Sequence, residues 1–572
     1  MSDPYANPTA ECDLIMQGGI TSGVVYPGAV LKLAERYRFR GIGGTSAGAI
    51  AAAAAAAAEL GRNSGGFDRL SELPKQLGDC LLSLFQPAPA FRGVFAIFLA
   101  CLGGRSKILK ALHVLALCVW HFLITTLIGL APALIYVIRT CGTSRTPLER
   151  FAILLAFVAG ILLAYEVRLA WLLMRTLPRQ LFGVCPGLAQ SRNAKPALCE
   201  WLADLFDRTA GITAPTDPLT FGALKAAGIE LKMMTTNLSV RRPYSLPFIT
   251  HPDHPERDAR YCYQESEWAR YFPKRIMTWL AGHTLAVEGN PGYRYLPDAE
   301  TLPVIVAVRM SLSFPFLLSA IPLYRQDWTY RSKADYSQLR RCVFSDGGIS
   351  SNFPIQFFDN LLPTRPTFAI ALRDYSPLRY ASDKPEDRVT MPVPQHADQG
   401  FLLPVNSVAS LFSFIGAIID TARNWQDNLQ SILAGYRERI VTVALTKAEG
   451  GLNLNMDAQL IMDINGLGAI AGERMLNFDL RSHQWRRFLV AYARLEDSFE
   501  RMNKAYAGGF AAFLNTYPPK TVGYVPTQQW FDDVHERINA LLALTEPWGA
   551  SPLRSCGKIP KPDTDLRITP KP

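Results

Sequence analysis

Several signatures are missing from this chain of 572 residues, and each absence removes a class of function. Its ten Cys include no C-x-x-C pair, and no His stands at metal-ligand spacing from them, so neither a zinc site nor a dithiol motif is expected. The first residues, Met-Ser-Asp-Pro-Tyr, lack a charged leader followed by an apolar core and a small-residue cleavage site. Cleaved secretion is therefore not expected, and an active site facing the cytoplasm is. The 59 Lys and Arg outnumber the 49 Asp and Glu, giving a net +10, but fall as scattered pairs such as Arg241 with Arg242 and Arg486 with Arg487. Without a basic patch interleaved with aromatics, no nucleic acid partner is expected; phospholipid headgroups remain compatible with the charge. Wholesale disorder is excluded by a hydrophobic content of 49% against 19% charged residues.

Charge is missing altogether from one long stretch. Between Ala111 and Ile138, about 28 residues, there is no Asp, Glu, Lys or Arg, and His113 and His121 are the main polar interruptions. About 20 such residues suffice for a helix to cross a hydrocarbon core. A second apolar stretch, Phe151 to Tyr165, continues past Glu166 and Arg168 to Met174, and the link between the two holds Arg139, Arg145, Pro147, Glu149 and Arg150. The pair predicts a transmembrane hairpin with Trp120, Tyr136, Tyr165 and Trp171 as interfacial anchors; buried core helices or a hydrophobic lid are the soluble alternative. A hairpin returns the chain to the side it left, so the flanking sequence can still build one domain. An integral, membrane-associated protein is expected, although basic residues flank both ends of the hairpin and do not orient it.

What is present outside this insertion is an α/β pattern. Asp13 to Met16 predicts a strand, Pro27 to Tyr37 a helix, Phe39 to Ile42 a second strand, and Ala47 through Ala58 a closely packed helix rich in alanine, the best helix former. Further strands are predicted at Ile229–Thr235, Cys342–Phe344, Thr367–Leu372 and Arg439–Leu445. Strands alternating with helices predict a mainly parallel sheet covered on both faces. Long helices are expected at Val405–Tyr436, Asp457–Met475 and His483–Tyr506, and a Pro-rich disordered tail from Trp548. The implied organisation is a catalytic domain in two parts, 10–90 and 181–375, interrupted by a hydrophobic helical insertion over 91–180. A mostly helical region over 376–547 and the tail, 548–572, complete it.

Three motifs carry chemistry. Gly44-Thr45-Ser46-Ala47-Gly48 is a G-x-S-x-G sequence between a predicted strand and a predicted helix. A sharp turn there exposes the serine hydroxyl, Gly44 and Gly48 let backbones pass, and the helix N-terminus faces any oxyanion formed. The bare pattern arises by chance in roughly one of five or ten such chains, so context decides. A phosphate loop is excluded because Ala49 and Ile50 stand where Lys and Ser or Thr are required. A dinucleotide loop is excluded because Gly41 to Ser46 lacks the third glycine. The second motif, Gln17-Gly18-Gly19-Ile20-Thr21-Ser22-Gly23, follows the first strand, where backbone amides unobstructed by side chains suit an oxyanion hole; an ordinary glycine turn is the alternative. The third, Ser345-Asp346-Gly347-Gly348, follows a strand, which in a parallel sheet places Asp346 at the carboxyl edge used for ligands.

Together the three motifs, in this order, resemble the patatin-like phospholipase family, as do Met234-Thr235-Thr236-Asn237-Leu238 with Arg242-Pro243-Tyr244, and Arg309 to Pro315. The resemblance spans roughly residues 10 to 375 around the insertion. It implies a patatin-like three-layer α/β sandwich and lipid acyl hydrolysis without metal or cofactor. Ser46 corresponds to the nucleophile, Asp346 to its dyad partner, and the Gly18 and Gly19 amides to the oxyanion hole. Gly44, Gly48, Gly347 and Gly348 complete the motifs. The sequence departs from the family's usual G-G-G-x-K/R-G loop at Gln17 or Ile20 and at Thr21-Ser22, which removes a basic side chain. A membrane lipid is the implied substrate. His251, His254 and His283 remain alternative triad members. An esterase, thioesterase or acyltransferase would use the same acyl-enzyme, and a membrane-anchored scaffold with a decayed site is the non-enzymatic alternative.

Overall fold

The computed structural model describes residues 3–555 apart from 20, 103–106, 141–145, 192–194, 215, 249–259, 393–402, 404, 452 and 517–526. Among these residues eleven strands join one mixed sheet. In chain order they are β1 (Ala10–Met16), β2 (Tyr37–Gly44), β3 (Glu230–Asn237), β4 (Arg242–Leu246), β5 (Cys262–Gln264) and β6 (Tyr293–Tyr295). They continue with β7 (Ile321–Gln326), β8 (Leu339–Asp346), β9 (Thr367–Asp374), β10 (Val389–Thr390) and β11 (Ile440–Leu445). The spatial order is β10-β11-β9-β1-β2-β3-β8-β7-β5-β6, with β4 hung on β3. From β11 to β3 the neighbours are parallel. The edges beyond are antiparallel.

The helices used below are α1 (Tyr26–Ala34), α2 (Ala47–Leu60), α3 (Leu73–Leu84), α4 (Lys107–His121), α5 (Leu123–Arg139) and α6 (Pro147–Trp171). They are followed by α7 (Leu198–Ala210), α8 (Val304–Ser311), α9 (Leu411–Ser431), α10 (Ala458–Leu476) and α11 (Leu480–Ala505). Alternation along β1 builds the layers: Cys12, Leu14 and Met16 enter the main core beneath α1, α2 and α7, whereas Ile15 points to the opposite face. There it meets Phe353, Ile355 and Phe358. The result is the α/β sandwich with added helical regions that the sequence led us to expect.

Four features differ from the sequence expectations. First, β11 pairs in parallel with β9, and α10 packs along α1. A domain boundary at residue 375 therefore cuts through the sheet and its covering layer. Part-buried polar links reinforce the join: Asp359 accepts from Arg439 at 2.8 Å and from Arg487 at 3.0 Å. Second, the strand carrying Asp346 is antiparallel to β3, with Asp346 opposite Thr235. It reaches the carboxyl edge of the parallel strands from outside, because the chain enters through the antiparallel edge.

Third, the uncharged stretch Ala111–Ile138 is not one rod. Phe122, with φ −122° and ψ 35°, breaks it between α4 and α5, and the two segments meet at 88°. The Phe122 ring joins a small cluster with Ala88, Phe91, Leu172 and Leu177, which accounts for the bend. The helix Pro147–Arg179 is long and apolar enough to cross a membrane; two further spans exist only if each of two bent helix pairs counts as one. α5 and α6 pack together, with the Thr126 and Tyr165 hydroxyls 2.9 Å apart. Fourth, the segment from Trp548 does not begin as a loose tail. Trp548 packs edge-on against Phe499, and the amides of Leu553 and Arg554 donate to the buried Glu496 carboxylate. Residues 556–572 lie outside the described residues.

Candidate active site

The backbone of Ser46 is the most constrained point of the site. β2 ends at Gly44 and α2 begins at Ala47, leaving Ser46 at φ 57° and ψ −126°. A non-glycine residue in that region costs on the order of 1–3 kcal/mol and persists only where its surroundings impose it. The imposition is visible at the flanking glycines. A Cβ on Gly44 would lie 2.2 Å from the Gly48 carbonyl oxygen, and one on Gly48 would lie 2.3 Å from the Met16 carbonyl oxygen. Gly48 and Ala49 donate back to the Thr45 and Ser46 carbonyls at 2.8 and 2.9 Å, which closes the turn. The Ser46 amide donates to the Ser311 hydroxyl at 3.1 Å, so α8 also holds the elbow.

Asp346 closes β8 and is buried. Its amide donates to the Ser313 carbonyl at 3.0 Å, and its Oδ1 accepts from the Gly348 amide at 2.7 Å. Burial pushes the Asp346 carboxyl up to about 6, while the Ser46 hydroxyl, the Gly348 amide and the Arg423 charge oppose the rise. The Ser46 hydroxyl is close enough to Asp346 to oppose the effect of burial, yet the buried Oδ2 has no hydrogen-bond partner among the described residues.

The glycine loop departs from expectation at Gly18. Its amide donates to the Asn352 carbonyl at 2.8 Å and is not free for an oxyanion, because the Asn352 backbone crosses directly over it. The Gly19 carbonyl accepts from the Ala47 amide at 3.2 Å. The Gly19 amide itself has no acceptor among the described residues. Ile20 lies outside them. Gly347 and Gly348 form the single turn after Asp346, where the Gly347 carbonyl accepts from Ser350 and Ser351 and the Gly348 carbonyl accepts from Arg423 at 2.6 Å. Of the three histidines, His251 and His254 are outside the described residues. His283 is exposed at the end of the helix Lys274–His283, bonded to the Trp279 carbonyl at 2.8 Å, and does not line the cavity at Ser46.

That cavity runs from Thr21 and Ser46 between α2, α3 and α7, and apart from these two hydroxyls its lining is almost entirely apolar. Ala51 and Ala54 of the alanine run leave the space, and Leu77, Leu205 and Phe314 are among the side chains enclosing it. The alanines thus do two things: Ala52, Ala53 and Ala55 pack into the core, while Ala51 and Ala54 face the cavity. Residues that motif reasoning did not single out as functional include Ser311, Asn352 and the pair Arg423 and Asp427 of α9. Ser311 sits inside the noted stretch Arg309 to Pro315 and Asn352 follows the Asp-Gly-Gly motif by four residues; Arg423 and Asp427 belong to no recognisable pattern.

Residues 14–95 match the family model described as patatin-like phospholipase. The chain is 34% identical over 595 aligned positions to a protein of Rhizobium meliloti (strain 1021) named RpoH suppressor, covering 91% of this chain and 89% of that one. Among solved structures, that of VipD from Legionella pneumophila aligns over 95% of this chain and 86% of that chain, with 12% identity and a TM-score of 0.31.

Proposed function

Because the chain belongs to the patatin-like phospholipase family, a family of lipid acyl hydrolases, we propose that it cleaves carboxylic ester bonds of phospholipids or other acyl lipids through an acyl-Ser46 intermediate. The observation that carries this proposal is the placement of Ser46, beside the buried Asp346 carboxyl and at the end of an apolar cavity. The cavity suits an acyl chain, and the strained elbow presents the hydroxyl to the ester carbonyl carbon.

In the first half-reaction Asp346 takes the Ser46 proton as Oγ bonds to the carbonyl carbon. The oxyanion is met by the Gly19 amide, and a second donor comes from Gly18 or Ala47 once either releases its present acceptor. Collapse expels the alcohol portion of the lipid, which takes the proton from Asp346. Water then gives a proton to Asp346 and attacks the acyl ester, releasing the fatty acid and returning the proton to Ser46. The carboxyl's value of about 6 is consistent with this role, since a base that is ionised at neutral pH yet close to it exchanges protons readily. No metal or cofactor takes part.

The apolar helix Pro147–Arg179 supports membrane association, which would keep the site near its lipid source; that the active site faces the cytoplasm is part of this proposal. The test is free fatty acid release, followed by mass spectrometry, from phospholipids, lysophospholipids and acylglycerols by detergent-purified protein. Release by the wild type and its loss in both Ser46→Ala and Asp346→Asn is expected; release that persists in either variant contradicts the proposed dyad.

A further inference from the structure

The turn that follows Asp346 is held from a distant part of the chain. Arg423 of α9 donates through Nε to the Gly348 carbonyl at 2.6 Å, one residue from the glycine that follows Asp346. One helical turn further along, the Asp427 carboxylate accepts three bonds: from the Ser351 hydroxyl at 2.9 Å, the Asn352 amide at 2.7 Å and the Phe353 amide at 2.9 Å. Asn352 in turn accepts from the Gly18 amide at 2.8 Å and donates through Nδ2 to the Gly18 carbonyl at 3.2 Å. The i, i+4 spacing of Arg423 and Asp427 places both on one face of α9. The remainder of the helix is largely exposed, including Leu411, Phe414, Ile418, Ile419 and Trp425. α9 is thus poorly packed for a helix of 21 residues, and its polar inner face accounts for specific bonds to the catalytic turn.

We infer that Arg423 and Asp427 are positioning residues for the hydrolytic reaction, Arg423 by fixing the turn and the charge beside Asp346, and Asp427 by fixing Asn352 and through it the glycine loop. The inference rests on Ser46 and Asp346 being the dyad. The two act differently. Arg423 is the charged group that acts on Asp346, where it favours the ionised base. Asp427 reaches Asn352 and Gly18 through hydrogen bonds, and Arg373 is the charge acting on Asp427 itself. Loss of Arg423 therefore disturbs both the geometry and the proton affinity of the base, whereas loss of Asp427 disturbs the geometry of the loop that receives the oxyanion.

The experiment measures kcat, KM and the pH profile of fatty acid release, the rate of fluorophosphonate labelling, and thermal melting, on full-length wild type, Arg423→Ala, Arg423→Lys and Asp427→Ala. Arg423→Ala is expected to lower kcat by about tenfold or more with KM within about twofold, and to move the acid limb of the profile to higher pH. Arg423→Lys, which keeps a donor and the charge, is expected to restore most of the rate and the limb even where its melting matches that of the Ala variant. Asp427→Ala is expected to lower kcat and the labelling rate while leaving the limb in place. Wild-type kcat and an unmoved limb in Arg423→Ala overturn the inference, as does a loss of rate that follows melting alone and is not restored by Lys. Wild type that labels normally while the variants behave like it leaves the dyad standing and removes only this inference. Wild type that neither labels nor hydrolyses removes the dyad, and this inference with it.

Discussion

The Gly18 amide donates to the Asn352 carbonyl at 2.8 Å, and the Asn352 side chain donates back to the Gly18 carbonyl at 3.2 Å. Two loops separated by more than three hundred residues of sequence are thereby one hydrogen-bonded unit, with Ser46 on one side and Asp346 on the other. Replacing the side chain with Ala removes the second of these bonds and leaves the first. Asn352→Ala is expected to retain the fold, to lose about 1 kcal/mol of stability, and to lower kcat several-fold with little change in KM, as steady-state kinetics and thermal melting will show.

On the proposed mechanism the Asp346 carboxyl sets the pH behaviour. As the proposed base it must be ionised, so kcat/KM is expected to rise through a limb near pH 6 and to level off above it. Stability runs the other way. The folded value, about 6, lies above the ordinary carboxylate value of 3.8, so the folded state holds the extra proton between those limits. The ionised group therefore opposes folding fully above pH 6 and not at all below 3.8. Asp346→Asn is expected to be more stable than wild type at pH 8 by about 3 kcal/mol, less whatever the amide loses at the Gly348 bond. That advantage should shrink to nothing as melting is followed down to pH 4, and a difference independent of pH contradicts the burial argument.

The left-handed backbone at Ser46 has its own signature. Both Ser46→Ala and Ser46→Gly remove the proposed nucleophile, but only glycine relieves a φ of 57°. Ser46→Gly is expected to melt higher than Ser46→Ala, by roughly 1 kcal/mol in stability. Equal melting temperatures would mean that the elbow relaxes in the absence of the hydroxyl.

Ala54 lines the cavity and is buried. Ala54→Leu is expected to fill that space and to shift chain-length preference. Long-chain esters should lose about tenfold or more in kcat/KM while short-chain esters stay within roughly threefold, as competition between acyl lengths will report. A uniform loss across chain lengths places the acyl chain elsewhere.

The parts of this site that were legible in the sequence are the local ones. An elbow needs a strand end, a helix start and glycines two residues either side of Ser46, and all of that lies within a few residues. Motif order singles out Asp346 but not the direction of its strand, because polarity depends on how the chain enters the sheet and not on the eight residues of the strand itself. Apolarity over Ala111–Ile138 was plain from composition, but the bend at Phe122 follows from a tertiary cluster with Phe91 and Leu177. The Gly18 amide looked free because its acceptor, Asn352, comes more than three hundred residues later. Arg423 and Asp427 were invisible for the same reason: a lone Arg and a lone Asp on an amphipathic helix read as solvent-facing until the helix is placed against the catalytic turn.

The most direct measurement is the site of fluorophosphonate attachment, mapped by peptide mass spectrometry on full-length protein and repeated with Asp346→Asn. The account predicts a single adduct on Ser46, formed at least tenfold more slowly in the Asn variant. An adduct on a different serine, or equal rates in the two proteins, would contradict it.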